Sequence, residues 1–499
     1  MLSFCQKIKI KPIFVCLVFL ILSFGLYFPA INTWFVSDDF HWLLIARDTE
    51  VSAKIFFTNY AGETYSGSYN PLLVLIFKFF YSIFGQNHQP YHIVSIIVHT
   101  VNTFLLYLIA KRIFKFVNIN LSEFLAVLVA ILFLIWPVQV ETIYWISAWP
   151  HIWTLLFYLA SLLFYFKFRQ ENKNSSYWLS ILFFILAIFI KEIAISLPFV
   201  ILLWEIYFVS GKLLKKNILN NFVWLFYFIL AFLFLIIRYL SIGLLFGYYG
   251  QHNLAFNFNS FIGNLPGFLN EFVSVSFLRV IFFKIYYYQL ESVVIITLSV
   301  LALYFYYLLK KKAWFNFTLF VSFLISLGPV LLVGLHRTTF AGDRYLYIAS
   351  IFWVLWLAYI FGVWSIKEKI KLYILLIFVI FSFGIINYKS NLWQQGAALS
   401  KQIVDSYQSI KSDQKQKFVT VGLPDNLSGA EVFRNNLGQA LAFAYPDNPP
   451  EIIPLPIYVA INPANKNSHL LKWRSDDLGW FAESVDGSFV VTGVTSIEL

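Results

Sequence analysis

Long apolar stretches recur along this chain from near its start to residue 388, and most of them are separated by short polar loops. A bilayer core of about 30 Å needs about 20 apolar residues per helix, and about eleven stretches approach this length. They lie at 13–31, 91–110, 122–137, 149–168, 177–191, 193–209, 219–240, 290–309, 314–333, 344–364 and 371–388. Since 60% of the residues are hydrophobic and only 12% are charged, too little polar surface remains to cover a soluble globule. The sequence therefore predicts an all-α, multi-pass integral membrane protein.

The basic residues are gathered in tight clusters between the apolar stretches. Six clusters of three lie at Lys7/Lys9/Lys11, Lys111/Arg112/Lys115, Lys167/Arg169/Lys173, Lys212/Lys215/Lys216, Lys310/Lys311/Lys312 and Lys367/Lys369/Lys371. Cytoplasmic loops are enriched in Lys and Arg, and all six clusters fall on one side of the membrane with the spans given above. The sequence predicts a cytoplasmic N-terminus and an extracytoplasmic C-terminus. This distribution accounts for the net charge of +11 without nucleic acid, which we exclude as a partner.

The N-terminal region carries two further signals. Its first basic cluster precedes an apolar stretch that runs from Ile13 to about Ala30 without a small-residue cleavage pattern, which favours an uncleaved first transmembrane helix over a signal peptide. The only cysteines are Cys5 and Cys16, so no disulfide framework is expected.

Two segments do not fit as simple spans. The first is the external loop at 32–90, in which Tyr69 to Phe84 is too short to cross and is predicted to lie as a helix at the outer interface. The second is 241–289, where an amphipathic piece runs from about Phe261 to Phe283. If this piece crossed, every later basic cluster would lie outside. We therefore expect it to be re-entrant or interfacial.

The C-terminal region has the composition of a folded aqueous domain, because Asn, Asp, Gln, Pro and Ser rise together after residue 388. Leu399, Ile403, Tyr407 and Ile410 recur at helical spacing, and residues 418–423 form a strand pattern. Asp486-Gly487 between two β-rich runs indicates a hairpin. We predict a membrane domain at 1–388 and a small extracytoplasmic α/β domain at 389–499.

An acidic pair, Asp38-Asp39, follows the first span directly. Adjacent carboxylates among aromatic residues repel each other and are poorly solvated, which suits proton transfer or the binding of a divalent metal ion. The alternative is an acidic cap on the N-terminus of the next helix. The sequence leaves both interpretations open.

Other ionisable residues collect at the same predicted outer face, where charge near the membrane is costly and is often functional. They are Glu141, Lys191, Glu192, Arg238, His336, Arg337, Asp343 and Arg344, and Tyr345 follows them. Arg238 and Arg337 are equally explained as snorkelling side chains. His92 and His99 are better explained as hydrogen-bonding groups in helix packing than as a metal pair. Acids and cations on one face suit sugar transfer from a lipid phosphate, since a carboxylate can take a proton and a cation can stabilise the leaving phosphate.

An ordered set of motifs over residues 30–360 resembles the membrane glycosyltransferases of the C-type fold, particularly the protein O-mannosyltransferases and their transmembrane tetratricopeptide-repeat relatives. The motifs are Asp38-Asp39, Tyr69-Asn70-Pro71-Leu72, Tyr91-His92 to His99-Thr100-Val101-Asn102, Trp136-Pro137 through Glu141 to Trp145-Ile146-Ser147, Lys191-Glu192-Ile193-Ala194 to Leu197-Pro198, and Asp343-Arg344-Tyr345-Leu346-Tyr347.

The resemblance implies an inverting transferase that takes its sugar from a polyprenyl-phosphate carrier and uses an acid of the first external loop as the base. By position, Asp38 is the first choice of base and Asp39 the second, while Glu141 is a second acid of the pocket. Arg344 and Lys191 are implied to hold the lipid phosphate. This chain departs from its relatives in having Asp343 where they have Glu, and in replacing the repeat array with a different outer domain.

The resemblance also sets expectations for partners and location. The acceptor is expected to be a protein hydroxyl or a cell-surface glycan or lipid, reached from the extracytoplasmic face of the plasma or inner membrane. Two alternatives stay open at this point. A lipid-linked glycan flippase or transporter would also carry intramembrane charges, although transporters often show internal repeats that this chain lacks. A polymerase or ligase of lipid-linked glycans would share the carrier.

Overall fold

The computed structural model describes residues 11–58, 69–119, 121–210, 222–243, 258–274, 290–333, 335, 339–410, 417–421, 424–433, 436–446, 451–454, 468–476 and 479–485. Within these ranges the chain is mainly helical. The helices before residue 368 are α1 (Pro12–Tyr27), α2 (Asp39–Asp48), α3 (Pro71–Phe84), α4 (His88–Phe116), α5 (Ser122–Leu134), α6 (Gln139–Tyr144), α7 (Trp149–Glu171), α8 (Asn174–Ile190), α9 (Ser196–Ser210), α10 (Val223–Ile242), α11 (Phe258–Ser274), α12 (Leu290–Lys310), α13 (Trp314–Leu327) and α14 (Ala349–Val363). Two more follow: α15 (Glu368–Ile410) and α16 (Leu437–Ala444).

A helix lies at each of the eleven predicted spans. Among the described residues, six helical segments are long and apolar enough to cross a bilayer: Pro12–Asn32, His88–Phe116, Ile146–Glu171, Val223–Ile242, Glu291–Lys310 and Glu368–Asp405. The shorter apolar helices at the other positions include α5, α8 and α14. The chain is therefore a multi-pass membrane protein, while the count of eleven crossings and their orientation stay predictions.

Several buried polar groups pair with one another between the helices, which offsets the lack of water in a bilayer core. The Ser161 hydroxyl donates to the Ser180 carbonyl oxygen at 2.8 Å and so joins α7 to α8. Deeper on the predicted cytoplasmic side, the Arg169 guanidinium donates to the buried Glu205 carboxylate, which joins α7 to α9. These contacts fix how the membrane helices pack around one another.

The two segments that did not fit as spans contain helices. The predicted helix after Tyr69 is confirmed as α3, whose Phe77 ring stacks on Trp42 at 5.2 Å and on Trp149 at 4.9 Å between ring centroids. The amphipathic piece is helical as α11, with Pro266 inside it. Its predicted continuation to Phe283 lies outside the described residues.

The described residues of the C-terminal region form six strands: β1 (Lys417–Val421), β2 (Asn426–Leu427), β3 (Ala430–Glu431), β4 (Glu451–Pro454), β5 (Ser468–Asp476) and β6 (Gly479–Val485). Four of them form one sheet in the order β4-β1-β5-β6, in which β1 is parallel to both β4 and β5 while β5 and β6 are antiparallel. β2 and β3 form a separate two-stranded ribbon. The hairpin predicted at Asp486-Gly487 lies outside the described residues.

Helix α15 passes through the predicted domain boundary between residues 388 and 389 without a break. Beyond that boundary, Leu399, Ile403 and Val404 belong to the same buried core as the membrane helices. The outer part of the chain is therefore fixed to the membrane part by a continuous helix and by apolar packing. A division into two domains at this residue stays a prediction.

Candidate active site

A twice-broken stretch between α5 and α7 forms the centre of the site. Helix α5 ends at Leu134 shortly before Pro137, which cannot continue a helix in its interior. The short helix α6 and a 3₁₀ turn at Ile146–Ala148 follow, and Pro150 lies in the first turn of α7. These breaks change the direction of the chain twice within a short stretch. Side chains that are close in sequence, such as Glu141, Trp145 and Ser147, therefore contact different parts of the protein.

Glu141 and Arg344 form a buried ion pair. The Glu141 carboxylate accepts from the Arg344 guanidinium, from the Arg344 backbone N–H at 2.9 Å and from the Gly342 backbone N–H at 3.3 Å. Gly342 has a φ of 97°, a conformation that side chains with a Cβ rarely adopt. Burial raises the pKa of Glu141, and the positive charge of Arg344 opposes that rise.

The Arg344 guanidinium lies between two aromatic rings. Its central carbon is 4.6 Å from the Trp145 ring centroid and 4.5 Å from the Tyr345 ring centroid. It also donates to the Tyr345 hydroxyl at 3.0 Å. Aromatic faces attract a guanidinium more strongly when water is excluded. The contacts hold a buried cation in one orientation.

A second buried ion pair lies beside the first. Lys389, from α15, donates to the Asp343 carboxylate at 2.5 Å, and both side chains are almost fully buried. The Lys389 ammonium also lies 4.5 Å from the Phe340 ring centroid. The Asp343-Arg344-Tyr345 turn is thus held from one side by Glu141 and from the other by the long helix.

The two acids of the first external loop, Asp38 and Asp39, lie in different environments. Asp39 is 1% exposed, and its carboxylate accepts from the Ser147 backbone N–H at 2.7 Å, the Ser147 hydroxyl at 2.6 Å and the Val36 backbone N–H at 3.0 Å. Burial raises the pKa of Asp39 to about 7, although these hydrogen bonds lower it and Asp38 raises it further. Asp39 therefore attaches the first external loop to residues 139–149, through its hydrogen bonds with Ser147.

Asp38 is half-buried and precedes α2 as its N-cap residue, yet its side chain makes no capping hydrogen bond. Its carboxylate instead accepts from the Asn436 side-chain amide at 2.6 Å. The pair therefore lies at the N-terminus of α2, as the capping interpretation has it, but without a side-chain capping hydrogen bond from Asp38. Of the two acids, Asp38 is the more accessible to an incoming hydroxyl.

The acidic pair is a poor match for a divalent cation. Both carboxylate oxygens of Asp39 already accept from N–H or O–H donors, and Asp38 accepts from an amide. No group of three or more His, Cys, Asp or Glu side chains suited to a metal ion occurs in the described part of the chain. Divalent metals that prefer oxygen ligands need more of them than this pair supplies.

Lys191, another of the predicted cations, lies at the junction of α8 and α9. Lys191 is 6% exposed, and its charge and that of Arg344 both act on His151, whose ring lies 5.4 Å from that of Tyr345. The His151 Nδ1 atom is buried and has no hydrogen-bond partner among the described residues. His151 thus contacts the ring of Tyr345, the residue next to Arg344, and lies within the electrostatic reach of both cations.

The other predicted residues fall into two groups. Arg238 is buried and pairs with Glu192 at 3.7 Å, so it is not a snorkelling side chain. His336 and Arg337 lie outside the described residues. His92 and His99 have the packing role that we expected, with ring nitrogens 3.1 Å from the Thr33 hydroxyl and 2.8 Å from the Tyr347 hydroxyl.

Sequence reasoning assigned no role to four residues of the site: His151, Lys389, Asn436, and Ser147, which was named only as part of a motif. Lys389 was passed over because it follows an apolar run directly, where a lysine is normally the end of a span. A proline-flanked aromatic run around His151 was the one available signal for that residue. Nothing local distinguishes Asn436 from the other amides of the outer region.

Comparison with known proteins agrees with the resemblance seen in the motifs. A family model described as dolichyl-phosphate-mannose-protein mannosyltransferase matches residues 68–239. This range contains Glu141, Ser147, His151, Lys191 and Arg238, while Asp38, Arg344 and Asn436 lie outside it. The resemblance to the protein mannosyltransferases is therefore confirmed, and the match covers about a third of the chain.

Individual relatives match a similar part of the chain. A protein O-mannosyl-transferase of Caenorhabditis elegans is 29% identical over 167 residues, covering 31% of this chain and 23% of that protein. Protein O-mannosyl-transferase Tmtc1 of Drosophila melanogaster is 28% identical over 184 residues, covering 35% and 21%. The human protein O-mannosyl-transferase TMTC1 is 28% identical over 203 residues, covering 37% and 22%. The matched region thus spans 21% to 23% of the length of these relatives.

Among solved structures, the apo oligosaccharyltransferase of Archaeoglobus fulgidus is similar with a TM-score of 0.44 and 13% identity, over 83% of this chain and 62% of that one.

Proposed function

We propose that this chain, whose residues 68–239 match the protein mannosyltransferases, is a membrane glycosyltransferase. It takes a sugar, mannose by analogy with the family description, from a polyprenyl-phosphate carrier in the membrane. It transfers that sugar with inversion to an acceptor hydroxyl on the extracytoplasmic side. The acceptor class that the relatives' names favour is a protein, and a cell-surface glycan or lipid is the alternative.

The single observation that carries the proposal is the position of residues 139–149. Through Ser147 this stretch holds Asp39 of the acidic pair, and through Glu141 and Trp145 it holds the Arg344 cation. Carboxylates and cations from distant parts of the sequence therefore converge on one stretch. General-base catalysis and stabilisation of a leaving phosphate require these two kinds of group together.

The proposed step is a single displacement. The acceptor oxygen attacks the anomeric carbon of the sugar while the bond from that carbon to the carrier phosphate oxygen breaks. The acceptor proton passes to a carboxylate, and the electron pair of the broken bond stays on the carrier phosphate. Arg344 and Lys191 stabilise the negative charge of that phosphate.

Asp38 is the better candidate for the base. Asp39 is 1% exposed and both of its oxygens accept hydrogen bonds within the protein, whereas Asp38 is only half-buried. Glu141 is tied to Arg344 in a buried ion pair, so its proposed role is to orient that cation. His151, with a buried Nδ1 that has no hydrogen-bond partner among the described residues, is a further proposed contact of the carrier phosphate.

The test is sugar transfer by the full chain in nanodiscs, given labelled polyprenyl-phosphate mannose and a panel of acceptor peptides. We expect Asp38→Asn to lower kcat by about 10²–10⁴-fold with little change in donor affinity, since a general base acts in the transition state. Arg344→Ala should weaken donor binding as well, because a cation interacts with the phosphate in the ground state too.

The matched control is Asp48→Asn. Asp48 lies on the same helix as Asp39, is exposed and pairs with its neighbour Arg47, so the variant should keep full activity. Full turnover by both Asp38→Asn and Asp39→Asn would overturn the mechanism. Movement of intact lipid-linked sugar across the bilayer without bond cleavage would favour the flippase instead.

A further inference from the structure

A segment of the outer region lies directly against both halves of the candidate active site. We call residues 424–446 the outer segment; they contain β2, β3 and α16, and residues 434–435 within them lie outside the described part. In sequence this segment is almost 400 residues away from the acidic pair. Its contacts with the site are therefore a product of the tertiary fold.

The outer segment covers the loop that carries the acidic pair. The Ser37 backbone N–H donates to the Val432 carbonyl oxygen at 2.9 Å, and the Phe433 ring stacks on Phe40 at 6.0 Å between centroids. The Asn436 amide donates to the Asp38 carboxylate at 2.6 Å. This last contact is a hydrogen bond to the proposed base itself.

The same segment also touches the turn that carries Arg344. The Phe340 backbone N–H donates to the Ser428 carbonyl oxygen at 3.0 Å. Gly429 follows with a φ of 109°, and a Cβ placed on it would lie 2.6 Å from the backbone nitrogens of Phe340 and Ala341. Only glycine allows so close an approach of the two backbones.

One residue on each side of the Asn436–Asp38 contact has a left-handed backbone conformation. Asn436 has a φ of 73° and Ser37 a φ of 45°, and such conformations are uncommon outside glycine. Asparagine tolerates this region better than most residues. Conformations of this kind persist where the surrounding structure holds them, and they are concentrated at functional sites.

We propose that Asn436 is a positioning residue for Asp38, and that the outer segment fixes the distance between the proposed base and the Arg344 turn. This inference rests on the proposed function. The amide donates to one carboxylate oxygen and so restricts the rotation of the Asp38 side chain, which sets the angle at which the carboxylate meets the acceptor hydroxyl. Small errors in such an angle cost rate because a proton transfer needs defined geometry.

Two substitutions separate this role from simple support of the fold. Asn436→Gly keeps the left-handed backbone at little cost while removing the amide. Asn436→Asp keeps the shape of the side chain but replaces its N–H donor with a carboxylate oxygen that repels Asp38. A hydrogen bond to a charged group is worth about 10- to 100-fold in an equilibrium or a rate.

The experiment measures kcat and donor KM for transfer by the full chain in nanodiscs. We expect both Asn436 variants to lower kcat by about 10- to 100-fold, with the aspartate the lower of the two, while donor KM stays within about twofold. Asp38→Asn combined with Asn436→Gly should be no slower than Asp38→Asn alone, because the amide acts only through that carboxylate. Asp405→Asn, an exposed acid on α15, is the control.

The outcomes distinguish this inference from the proposed function. If the wild type transfers sugar and Asp38→Asn does not, but Asn436→Gly keeps its kcat, the positioning role is wrong and the proposed function stands. If Asn436→Gly slows the Asp38→Asn variant further, Asn436 acts through the fold and the inference is again wrong. Absence of transfer by the wild type with any labelled carrier would contradict the proposed function itself.

A second variant tests the other end of the outer segment. Gly429→Ala forces the two backbones apart, so it should lower kcat even though residue 429 touches neither the acid nor the cation. Retained donor binding would show that the variant is folded. An unchanged kcat in Gly429→Ala would contradict the claim that the outer segment sets the distance across the site.

Discussion

The Glu141 carboxylate accepts hydrogen bonds from both the backbone and the side chain of Arg344, so a single acid fixes the turn and the cation that the turn carries. The two residues are 203 positions apart in the sequence. Loss of the acid would leave the guanidinium buried between two rings without its partner.

We predict that Glu141→Gln lowers the free energy of unfolding by about 3–5 kcal/mol, because removal of one member of a buried ion pair leaves an uncompensated charge. Thermal unfolding of the purified protein in nanodiscs measures this. Glu171→Gln is the matched control, since Glu171 pairs with Arg112 near the surface and such pairs are worth about 0–1 kcal/mol. Equal stability of the two variants would contradict the geometry of the Glu141–Arg344 pair.

A second prediction concerns the buried Asp343–Lys389 pair. Asp343→Asn and Lys389→Met should each destabilise the protein strongly, whereas the double variant should recover most of that loss, because no unpaired charge is then left inside. A thermodynamic double-mutant cycle gives the interaction energy directly. Additive losses would mean that the two groups do not interact in the folded protein.

The dependence of stability on pH follows from Asp39. Since burial raises its pKa to about 7 in the folded protein, the folded state keeps a proton that the unfolded chain releases near pH 4. The binding of this proton by Asp39 therefore stabilises the folded state. The contribution is fully present below about pH 4 and is lost as the pH rises through about 7, with an upper bound of about 4 kcal/mol. Unfolding midpoints of the wild type and Asp39→Asn between pH 4 and 8 test this, and a variant with the same slope as the wild type would contradict it.

A further prediction concerns the proposed contact between His151 and the phosphate of the carrier. His151→Phe should weaken donor binding by about tenfold, the value of one hydrogen bond to a charged group. His151→Asn places an amide near the position of Nδ1 and should recover part of the affinity. Titration of polyprenyl phosphate against the variants in nanodiscs measures the effect, and equal affinity for Phe and wild type would exclude a phosphate contact.

The predicted orientation in the membrane is tested with single cysteines at exposed positions, in a chain whose Cys5 and Cys16 are replaced. Thr58→Cys and Asp425→Cys should react with an impermeant reagent from the extracytoplasmic side. Lys311→Cys should react from the cytoplasmic side, since Lys and Arg are enriched in cytoplasmic loops. Labelling of Thr58→Cys from the cytoplasm alone would reverse the topology and move the proposed active face with it.

The membrane part of this fold was largely predictable because apolar runs and basic clusters are local signals. Each predicted span contains a helix, including the one at 177–191, which has fewer residues than most of the others. The helix of the first external loop was also predicted, from an apolar run at Tyr69 to Phe84 that is too short to cross. The lengths of such runs fix helices whatever the rest of the chain does.

In the candidate site, the sequence identified several of the charged residues but not the contacts between them. Glu141 and Arg344 were each suspected, but their direct pairing depends on two breaks in the chain around Pro137 and Pro150 that turn α6 toward the Asp343-Arg344 turn. Lys389 continues a helix that sequence reasoning ended one residue earlier. Asn436 acts through a contact across 398 positions, and no pattern of spacing in a single sequence carries that information.

The unbroken helix α15 connects the candidate site to the part of the chain that faces lipid. Its 43 residues span about 65 Å at 1.5 Å per residue, roughly twice the thickness of a hydrocarbon core. Its apolar part, residues 371–388, is about 27 Å long at 1.5 Å per residue, close to the thickness of that core, so a thinner bilayer should tilt the helix. Lys389 follows this part directly and is bonded to the turn that carries Arg344, so we expect such a tilt to move that turn within the candidate site.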